Sequence, residues 1–242
     1  MPGLPLSLMK EVPMLIAQMV GKNESNRYLR PVLERLSSQV DKIIFTDDCS
    51  DDDTADIAAE YATVYKTDKT LFTENEGNLR SQAWKNLEKH AKEGDWILAI
   101  DCDEMLYHEQ NLEIGEVLKQ SPFDVVNIRF FHMWNPVQYR VDKLWAPTNS
   151  SRLFRYRLGG TFFDRRLACG SEPTYVVDLI RYRNYWLESG LIMKHLGYIK
   201  DEDKKAKHER YMNLDKGEFH NINHIQSIID ENPVLLNWGD YK

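Results

Sequence analysis

The sequence predicts an α/β fold with a mostly parallel sheet flanked by helices, on the strength of two observations. Within residues 14–100, apolar stretches of strand length alternate with stretches whose apolar residues recur at helical spacing. Such alternation is typical of parallel strands joined by right-handed helical crossovers. Two of the strands end in clusters of aspartate, at 47–53 and 101–104. Because sheets of this kind bind ligands at the carboxyl ends of their strands, both clusters indicate a ligand site.

The first half of the chain supplies the regular part of this fold. Strands are predicted where apolar residues run together, at residues 14–20, 42–46, 63–66 and 96–100. Helices are predicted where apolar residues recur three or four positions apart, at residues 28–36, 55–61 and 77–92.

The second half is less regular, and residues 135–185 are rich in arginine and aromatic residues. Strands are predicted at residues 124–134, 151–156, 175–178 and 191–195, and helices at residues 112–119, 200–214 and 222–229. We expect one domain over residues 1–242, in which a regular half (about 12–105) and an irregular half (about 106–242) share one sheet.

Composition and cysteine usage limit the class of protein. Hydrophobic residues make up 42% of the 242 residues and charged residues 29%, as in ordinary globular proteins. No apolar run approaches the roughly 18 residues that span a bilayer, and Met1–Val20 lacks the features of a signal peptide. Cys49, Cys102 and Cys169 are odd in number and match no zinc pattern. We therefore expect a cytoplasmic protein.

The charge distribution is uneven. Between Arg129 and Trp186 the chain has ten basic and four acidic side chains, a net charge of +6, although the whole chain carries −7. This asymmetry indicates a half of the protein that meets anions. A solvated surface with internal ion pairs is the alternative.

Asp101 and Asp103 are one residue apart directly after the predicted strand 96–100. Two carboxylates so close repel each other unless a cation or a proton lies between them. A hard cation held by few carboxylates completes its coordination with water and substrate phosphates. An acidic turn without a ligand is the alternative.

Three segments in order resemble one family. They are Lys22-Asn23-Glu24, the turn Asp47-Asp48-Cys49-Ser50-Asp51-Asp52-Asp53-Thr54, and the segment 94–104 that contains Asp101-Cys102-Asp103. They resemble the family 2 glycosyltransferases of the Rossmann-like GT-A fold, which show a Lys-Asn-Glu loop, an Asp-Asp-Gly-Ser-x-Asp-x-Thr turn and an Asp-x-Asp motif. Here Cys49 replaces the usual glycine of the turn. The resemblance covers residues 14–105. It implies that this half of the chain binds a nucleotide-sugar donor and that the remaining half binds the acceptor.

The resemblance implies a pocket for the nucleotide, and a UDP-linked sugar is the expected donor. Asp48 is expected to hydrogen-bond the base, and Asn23 and Glu24 to shape the pocket for base and ribose. An alternative for the acidic turn is that its aspartates cap the helix that starts at Thr54.

For the diphosphate, the resemblance implies that Asp103 binds Mn²⁺ or Mg²⁺ and that Asp101 holds the ribose or a metal-bound water. Arg80, where the family often has Arg-Asn, is expected to contact the diphosphate, unless it is a surface arginine. His195, in a segment similar to a His-x-Gly-Tyr motif before a Lys-rich helix, is expected to complete the metal site or to contact the diphosphate. A histidine satisfied at a strand end is the alternative.

Glycosyl transfer also needs a base that takes the acceptor proton. Ser151–Arg155 resembles an Arg-Leu-Phe segment that is followed in one branch of the family by His-Glu, and Cys169-Gly170-Ser171-Glu172 would fill that place. Glu172 is the predicted base and Asp164 the substitute, and reaction with inversion is expected. The alternative is that either carboxylate pairs with the nearby arginines.

The basic stretch predicts an anionic acceptor, such as a phosphorylated glycan, a lipid-linked saccharide or a modified DNA base. Arg155, Arg165 and Arg166 are the predicted acceptor ligands. Lys204 and Lys205 fit a solvated helix face better than a phosphate site. Five aromatic residues offer a platform for a sugar or core packing: Phe130, Phe131, Trp134, Tyr139 and Trp145.

Other classes fit less well. A phosphatase of the haloacid-dehalogenase type also places Asp-x-Asp after an apolar strand, with Asp101 as nucleophile, but Glu104-Met105 stands where that class has Gly-Thr. Nucleotidyltransferases have a Gly-rich phosphate loop near the N-terminus, which this sequence lacks. A non-catalytic module that binds a nucleotide sugar is the remaining alternative.

Overall fold

A computed structural model of the chain describes residues 13–107, 114–183 and 186–240. Residues 1–12, which form most of the N-terminal segment that lacks signal-peptide features, lie outside the described residues. Residues 112–113, at the start of the predicted helix 112–119, also lie outside them. Within the described residues the strands form one ten-stranded sheet with helices on both faces. The predicted α/β fold is confirmed. None of the described helices has the length and apolar character needed to cross a membrane.

The first half matches its predicted elements closely. Its strands are β1 (Leu15–Gly21), β2 (Lys42–Asp47), β3 (Thr63–Lys66) and β4 (Trp96–Ala99). Its helices are α1 (Leu29–Ser37), α2 (Thr54–Ala59) and α3 (Glu76–Leu87). The main difference is that α3 ends at Leu87 and not near Lys92.

The second half contains more strands than the sequence predicts. Its strands are β5 (Glu104–Tyr107), β6 (Val125–Asn135), β7 (Gln138–Arg140), β8 (Thr148–Arg155), β9 (Leu187–His195) and β10 (Leu235–Asn237). Its helices are α4 (Ile114–Gln120), α5 (Thr174–Arg183), α6 (Asp201–Leu214) and α7 (Ile222–Ser227), with 3₁₀ turns at Lys143–Trp145 and Trp238–Asp240. The strands β5, β7 and β10 are not predicted, because each is short and mixes polar with apolar residues, so it shows no apolar run like those of β1 or β4.

The two halves share the sheet, as expected. Its strand order is β10-β7-β6-β8-β4-β1-β2-β3, and β9 pairs with both β5 and β6. Strands β3, β2, β1 and β4 are parallel, so their carboxyl ends lie along one edge. Strand β8 is antiparallel to β4 and joins the second half to the first. This arrangement brings residues from the start of β8 to the edge where β4 ends.

The core has one layer on each face of the sheet. On one face, Leu33 of α1 and Leu118 of α4 pack against strand residues such as Ala17. On the other face, Trp84 of α3 and Val176 of α5 pack against the neighbouring strand residues. Successive residues of a strand point to opposite faces, so the continuous apolar runs of the buried strands serve both layers.

The strand predicted at 175–178 is wrong, because these residues lie in helix α5. Pro173 precedes the helix, and its carbonyl accepts hydrogen bonds from the backbone N–H groups of Val176 (3.0 Å) and Val177 (3.3 Å). Val176 and Leu179, three residues apart, are both buried in the core. Proline suits the first turn of a helix, and burial of this face outweighs the β-propensity of the two valines.

Cys49 lies in the turn after β2 with a φ of 58°, a left-handed conformation that glycine adopts without steric cost. We expect Cys49→Gly to raise the free energy of unfolding by about 1 kcal/mol, because a Cβ in this conformation is strained. Urea denaturation followed by circular dichroism measures the change. Cys49→Ala is the control, since it keeps the Cβ and should give no gain. Equal stabilisation by both substitutions would remove backbone strain as the cause.

Candidate active site

A cavity of about 800 Å³ opens at the carboxyl ends of β1, β2 and β4. Its walls come from the loops that follow these strands, from α3 and α6, and from the loop before α5. The predicted site residues that line it are Asn23, Glu24, Asp48, Arg80, Asp101, Asp103, Glu172 and His195. Segments far apart in the sequence therefore meet in one place.

One wall consists of the loops after β1 and β2, which bind each other. The backbone N–H of Asn23 donates to Ser50 Oγ (3.0 Å), and Asn23 Oδ1 accepts from the backbone N–H of Asp51 (3.1 Å). The backbone N–H of Glu24 donates to Thr54 Oγ1 (2.6 Å). Asn23 has a φ of 55°, which asparagine tolerates better than most residues. Asn23 thus fixes the shape of the wall as well as lining it.

Glu24 lines the cavity, and one of its carboxylate oxygens is unpartnered among the described residues. Its Oε1 accepts a hydrogen bond from Arg27 Nη1 (2.7 Å), while Oε2 is buried with no hydrogen-bond partner in the described part of the chain. Burial raises the pKa of Glu24 to about 7, although the Arg27 guanidinium opposes this shift. A buried oxygen without a partner is costly, so a rotation of the Glu24 side chain that brought Oε2 to a donor in the cavity would be favourable.

Asp48 lines the cavity and holds the segment 70–73 in place. Its carboxylate accepts hydrogen bonds from the backbone N–H groups of Leu71 (2.7 Å) and Phe72 (3.0 Å), and the residue is 1% exposed. The helix-capping alternative is wrong for Asp48, because Asp52 is the residue that accepts from the backbone N–H of Thr54 (3.0 Å) at the start of α2.

Two arginines hold the carboxylate of Asp101. Arg80 Nη1 lies 3.4 Å from Asp101 Oδ1, and Arg152 Nη2 lies 3.5 Å from Asp101 Oδ2. Burial alone would raise the pKa of Asp101, but the two guanidinium groups outweigh it and lower the pKa below its usual value. Arg80 also contacts Glu76 (3.3 Å), and its side chain is 14% exposed, so the alternative of a surface arginine is wrong.

Arg152 is a site residue that the sequence prediction missed. Besides Asp101, its guanidinium contacts Glu104 Oε1 at 2.8 Å and donates to the Ser171 hydroxyl. The register of β8 explains its place, because Leu153 pairs with Leu98 near the carboxyl end of β4. Arg152 precedes Leu153 in β8 and therefore lies one residue nearer to the cavity.

Arg155, a predicted acceptor ligand, lies at the opposite end of the same strand pair. It pairs with Trp96, the first residue of β4, and its Nη1 donates to the carbonyl of Gly94 (2.6 Å). Three residues of strand correspond to about 10 Å. Arg155 is therefore outside the cavity, and its predicted place in the site is corrected.

The two arginines of β8 allow a matched test. We expect Arg152→Gln to lower the free energy of unfolding by roughly 2 kcal/mol, because Asp101 loses one of its two guanidinium partners and Glu104, whose pKa burial raises to about 8, loses a buried hydrogen-bond partner. Arg155→Gln should cost about 1 kcal/mol, since it loses a hydrogen bond and a cation–π contact at a half-buried position. Chemical denaturation of both variants measures the difference. Equal losses would contradict the assigned network.

Asp103, His195 and Lys207 form the second charged group of the cavity. His195 Nε2 lies 3.3 Å from Asp103 Oδ2, and Lys207 Nζ lies 3.4 Å from the same oxygen. Burial would raise the pKa of Asp103, but Lys207 and His195 hold it well below its usual range. His195 Nδ1 contacts His132 Nδ1 at 3.0 Å. Burial lowers the pKa of His132 well below its usual value, so a neutral His132 orients the His195 ring.

The donor atoms at this point suit a divalent ion. A carboxylate oxygen and an imidazole nitrogen converge on one spot, and manganese accepts both. Within residues 13–107, 114–183 and 186–240, no group of three or more His, Cys, Asp or Glu side chains is arranged to hold a metal ion. Asp103 and His195 thus fit an ion that takes its remaining ligands from water and a bound phosphate.

The two candidate bases differ in their position relative to the cavity. Glu172 lines the cavity, and its Oε2 accepts a hydrogen bond from the backbone N–H of Ser171 (2.9 Å). Asp164 is outside the cavity lining, where it accepts a hydrogen bond from Asn75 Nδ2 (2.6 Å) at the start of α3. Of the two, Glu172 shares the cavity with Asp103.

The other predicted acceptor ligands lie beside the cavity and not in its lining. Arg166 Nη2 donates to the carbonyl of Leu214 (2.6 Å), and the Arg165 guanidinium lies 5.3 Å from the Phe163 ring centroid. Leu167, the next residue, lines the cavity, so the backbone of both arginines is close to it. The five predicted platform aromatics are buried in the core, at 7% exposure or less, and among them only Phe130 lines the cavity.

Lys207, Arg27 and Arg210 also line the cavity and were not predicted. The Lys-rich helix after the His-x-Gly-Tyr segment was the available signal for Lys207, but Lys204 and Lys205 were considered there instead. Lys205 is exposed, and Lys204 Nζ pairs with Asp201 (3.0 Å). These three lysines differ in which side of α6 they occupy, and only the side that carries Lys207 faces the cavity.

The parallel strands β1 to β4, the cavity at their carboxyl ends and the acidic pair after β4 are the features expected of a glycosyltransferase of GT-A fold. The sequence profile of glycosyl transferase family 2 matches residues 19–180. The chain belongs to this family. The haloacid-dehalogenase alternative is thereby excluded.

Solved structures with the same fold share little sequence with this chain. TarS 1–349 of S. aureus is 17% identical over 89% of this chain and 69% of its own, with a TM-score of 0.55. The same protein in complex with UDP-GlcNAc gives a TM-score of 0.53 at 17% identity, over 90% of this chain and 71% of its own. A mannosyltransferase of Pyrobaculum calidifontis in complex with GDP-Man and Mn²⁺ is 13% identical over 84% of this chain and 62% of its own, with a TM-score of 0.54. No curated protein sequence matches the chain.

Proposed function

We propose that the protein transfers a sugar from a UDP-linked donor to an acceptor hydroxyl, with inversion at the anomeric carbon and in the presence of Mn²⁺ or Mg²⁺. The observation that carries this proposal is the placement of Asp103 and His195, a pair suited to a divalent ion, in the same cavity as Glu172. A charge-stabilising group for the diphosphate and a base for the acceptor are the two requirements of the reaction.

The nucleotide is proposed to bind in the wall formed by Asn23, Glu24 and Asp48. The Oε2 of Glu24 is buried without a partner among the described residues, and we propose that the side chain turns so that this oxygen accepts a hydrogen bond from a ribose hydroxyl. Asp48 already accepts two backbone hydrogen bonds, but a carboxylate has about four acceptor positions and keeps room for a base N–H. TarS has been solved in complex with UDP-GlcNAc and the mannosyltransferase in complex with GDP-Man and Mn²⁺, which supports a nucleotide-sugar donor here.

The diphosphate is proposed to lie between Arg80, Arg152 and the pair Asp103–His195. A bound divalent ion would offset the negative charge that grows on the leaving diphosphate. The arginines contribute further fixed positive charge, and Asp101 keeps both of them oriented toward the cavity. Because these cations are held in advance, little reorganisation is needed as the bond to the sugar breaks.

Glu172 is proposed to take the proton of the acceptor hydroxyl as that oxygen attacks the anomeric carbon. Glu172 lies in the loop before α5, next to Ser171, whose hydroxyl accepts a hydrogen bond from Arg152. A direct displacement of this kind inverts the anomeric carbon. Asp164 is less suited to act as the base, because it does not line the cavity.

Thermal melting with a panel of nucleotides tests the donor assignment. UDP, GDP and their sugars are added with and without Mn²⁺, since a ligand that binds the folded state raises its melting temperature. We expect the largest shift with a UDP-sugar and Mn²⁺ together. Donor binding without release of UDP from any acceptor mixture would support the non-catalytic module instead, and no shift with any nucleotide would refute the proposal.

The acceptor is proposed to be an anionic glycan, lipid-linked saccharide or modified DNA base, held beside the cavity by Arg165 and Arg166. We expect the double variant Arg165→Gln/Arg166→Gln to weaken acceptor binding by about tenfold at low salt and less at high salt, because exposed charges are screened. Initial rates at varied acceptor and salt concentrations measure this, with Arg155→Gln as control. An unchanged acceptor KM would leave these arginines as surface residues.

We also propose a cytoplasmic location. Cys49, Cys102 and Cys169 are all free thiols, which suits a reducing compartment.

A further inference from the structure

Lys207 lies where its ammonium group meets both side chains of the candidate metal pair. Its Nζ is 3.4 Å from Asp103 Oδ2 and 3.3 Å from His195 Nε2. The side chain is 11% exposed. These are the same two donor atoms that face a divalent ion in the proposed function.

The protein makes room for this contact. A Cβ on Gly197 would lie 2.1 Å from Asp103 Oδ2 and 2.7 Å from Lys207 Nζ, so any larger residue there would push the two groups apart. The ring of Tyr198 lies beneath the ammonium, with Nζ 4.4 Å from its centroid. A carboxylate, an imidazole nitrogen and an aromatic face thus surround one cation, which is the environment that such a group prefers.

Lys207 differs in this respect from the two arginines of the cavity. Arg80 and Arg152 contact Asp101, and they also have carboxylates of their own in Glu76 and Glu104. Their positive charge is needed whether or not a metal ion is bound. Lys207 pairs instead with Asp103, the carboxylate assigned to the metal.

His195 Nε2 has a single lone pair, so it cannot face the Lys207 ammonium and coordinate a divalent ion at the same time. At Asp103 Oδ2 the two cations would repel each other. The ion must therefore displace Lys207 before it binds both donor atoms. Once displaced, the ammonium lies at the end of a flexible four-carbon chain and needs another anion. The diphosphate of the donor is the anion that the proposed function brings to this place.

We propose that Lys207 is a resident counter-cation that competes with the divalent ion for Asp103 and His195 and that it transfers to the donor diphosphate, so that metal and donor binding are coupled through this one side chain. The inference rests on the proposed function for its donor. Its consequence is that the metal ion alone binds weakly and that the nucleotide removes the competitor. Such coupling is reciprocal, as it must be for two ligands of one protein.

The test uses the whole chain with the lysine neutralised. Lys207→Met keeps the length of the side chain and removes its charge, and Lys205→Met removes the same charge from an exposed position on the same helix. Free Mn²⁺ is measured by electron paramagnetic resonance, first without any nucleotide and then with saturating UDP. A folded state is verified by thermal melting, and Lys207→Gln serves if the Met variant does not fold.

Without nucleotide, we expect Lys207→Met to bind Mn²⁺ about tenfold more tightly than the wild type, because removal of a close competing cation is worth about one order of magnitude. With UDP present, the two proteins should bind Mn²⁺ with similar affinity, so the coupling between UDP and Mn²⁺ falls by the same factor. Lys207→Arg retains the charge and should restore wild-type behaviour. Lys205→Met should also resemble the wild type.

A gain in affinity is a diagnostic result, since a variant that merely loosens the structure would bind the ion more weakly. Unchanged or weaker Mn²⁺ binding by Lys207→Met, or an equal gain in Lys205→Met, would overturn the inference. The measurement without nucleotide needs no donor. If UDP fails to bind any of the proteins, the proposed function fails, whereas a gain in metal affinity would still establish the competition.

Discussion

Asp103→Asn is expected to abolish sugar transfer, with a loss of about 10³-fold or more, because a metal ion supplies several kcal/mol of charge stabilisation in such a reaction. The substitution keeps the shape of the side chain and removes the charge that faces His195 and Lys207. Binding of the donor should also lose its dependence on Mn²⁺. Calorimetric titration of UDP with and without Mn²⁺, together with transfer rates, measures both effects.

The control for this experiment is Asp124→Asn. Asp124 pairs with Arg157 at 2.9 Å on the surface, and it follows no site strand, so activity should be unchanged. Transfer that survives a chelator, or an Asp103→Asn enzyme with wild-type rates, would show that Asp103 holds no catalytic metal. Thermal melting separates loss of function from loss of folding.

Glu172→Gln is expected to lower transfer by about 10²–10⁴-fold and to leave donor binding intact, because glutamine keeps the shape but cannot take a proton. The acceptor oxygen would then attack without a base. A fall in kcat with little change in the KM for the donor is the expected signature, since the interaction is made in the transition state. Nuclear magnetic resonance of the product gives the anomeric configuration, which should be inverted.

Asp164→Asn is the matched variant, since Asp164 is the other carboxylate of this loop and lies outside the cavity lining. It should retain most of the activity. A fully active Glu172→Gln enzyme, an inactive Asp164→Asn enzyme or a product with retained configuration would each remove Glu172 from the proposed role.

Much of the nucleotide half could be predicted because its signals are local. Strands β1, β2 and β4 are continuous apolar runs, and the polar residues that follow them must lie at the same sheet edge once the strands are parallel. The position of Asp101 and Asp103 follows from that rule alone. At Cys49 the structure explains a feature of the family sequence, because the left-handed conformation of this turn residue is one that glycine adopts most easily.

Prediction failed where the answer depended on contacts between distant segments. Arg152 and Arg155 lie three residues apart in one strand, and nothing in their local sequence tells which end faces the site. The antiparallel register of β8 against β4 decides it. Likewise, Tyr175–Asp178 has the residues of a strand but is helical, because Val176 and Leu179 bury together against the sheet.

The sequence by itself determined the fold class, the family resemblance and the acidic pair at the end of β4, because each depends on a short segment whose pattern is legible along the chain. Tertiary structure alone decided which cations reach that pair. Lys207 and Arg152 come from elements that pack against the site from the second half, and their neighbours Lys205 and Arg155 face elsewhere. A charged side chain acts at a site only when the register of a strand or the rotation of a helix directs it there, and both are set by burial of the apolar side chains around it.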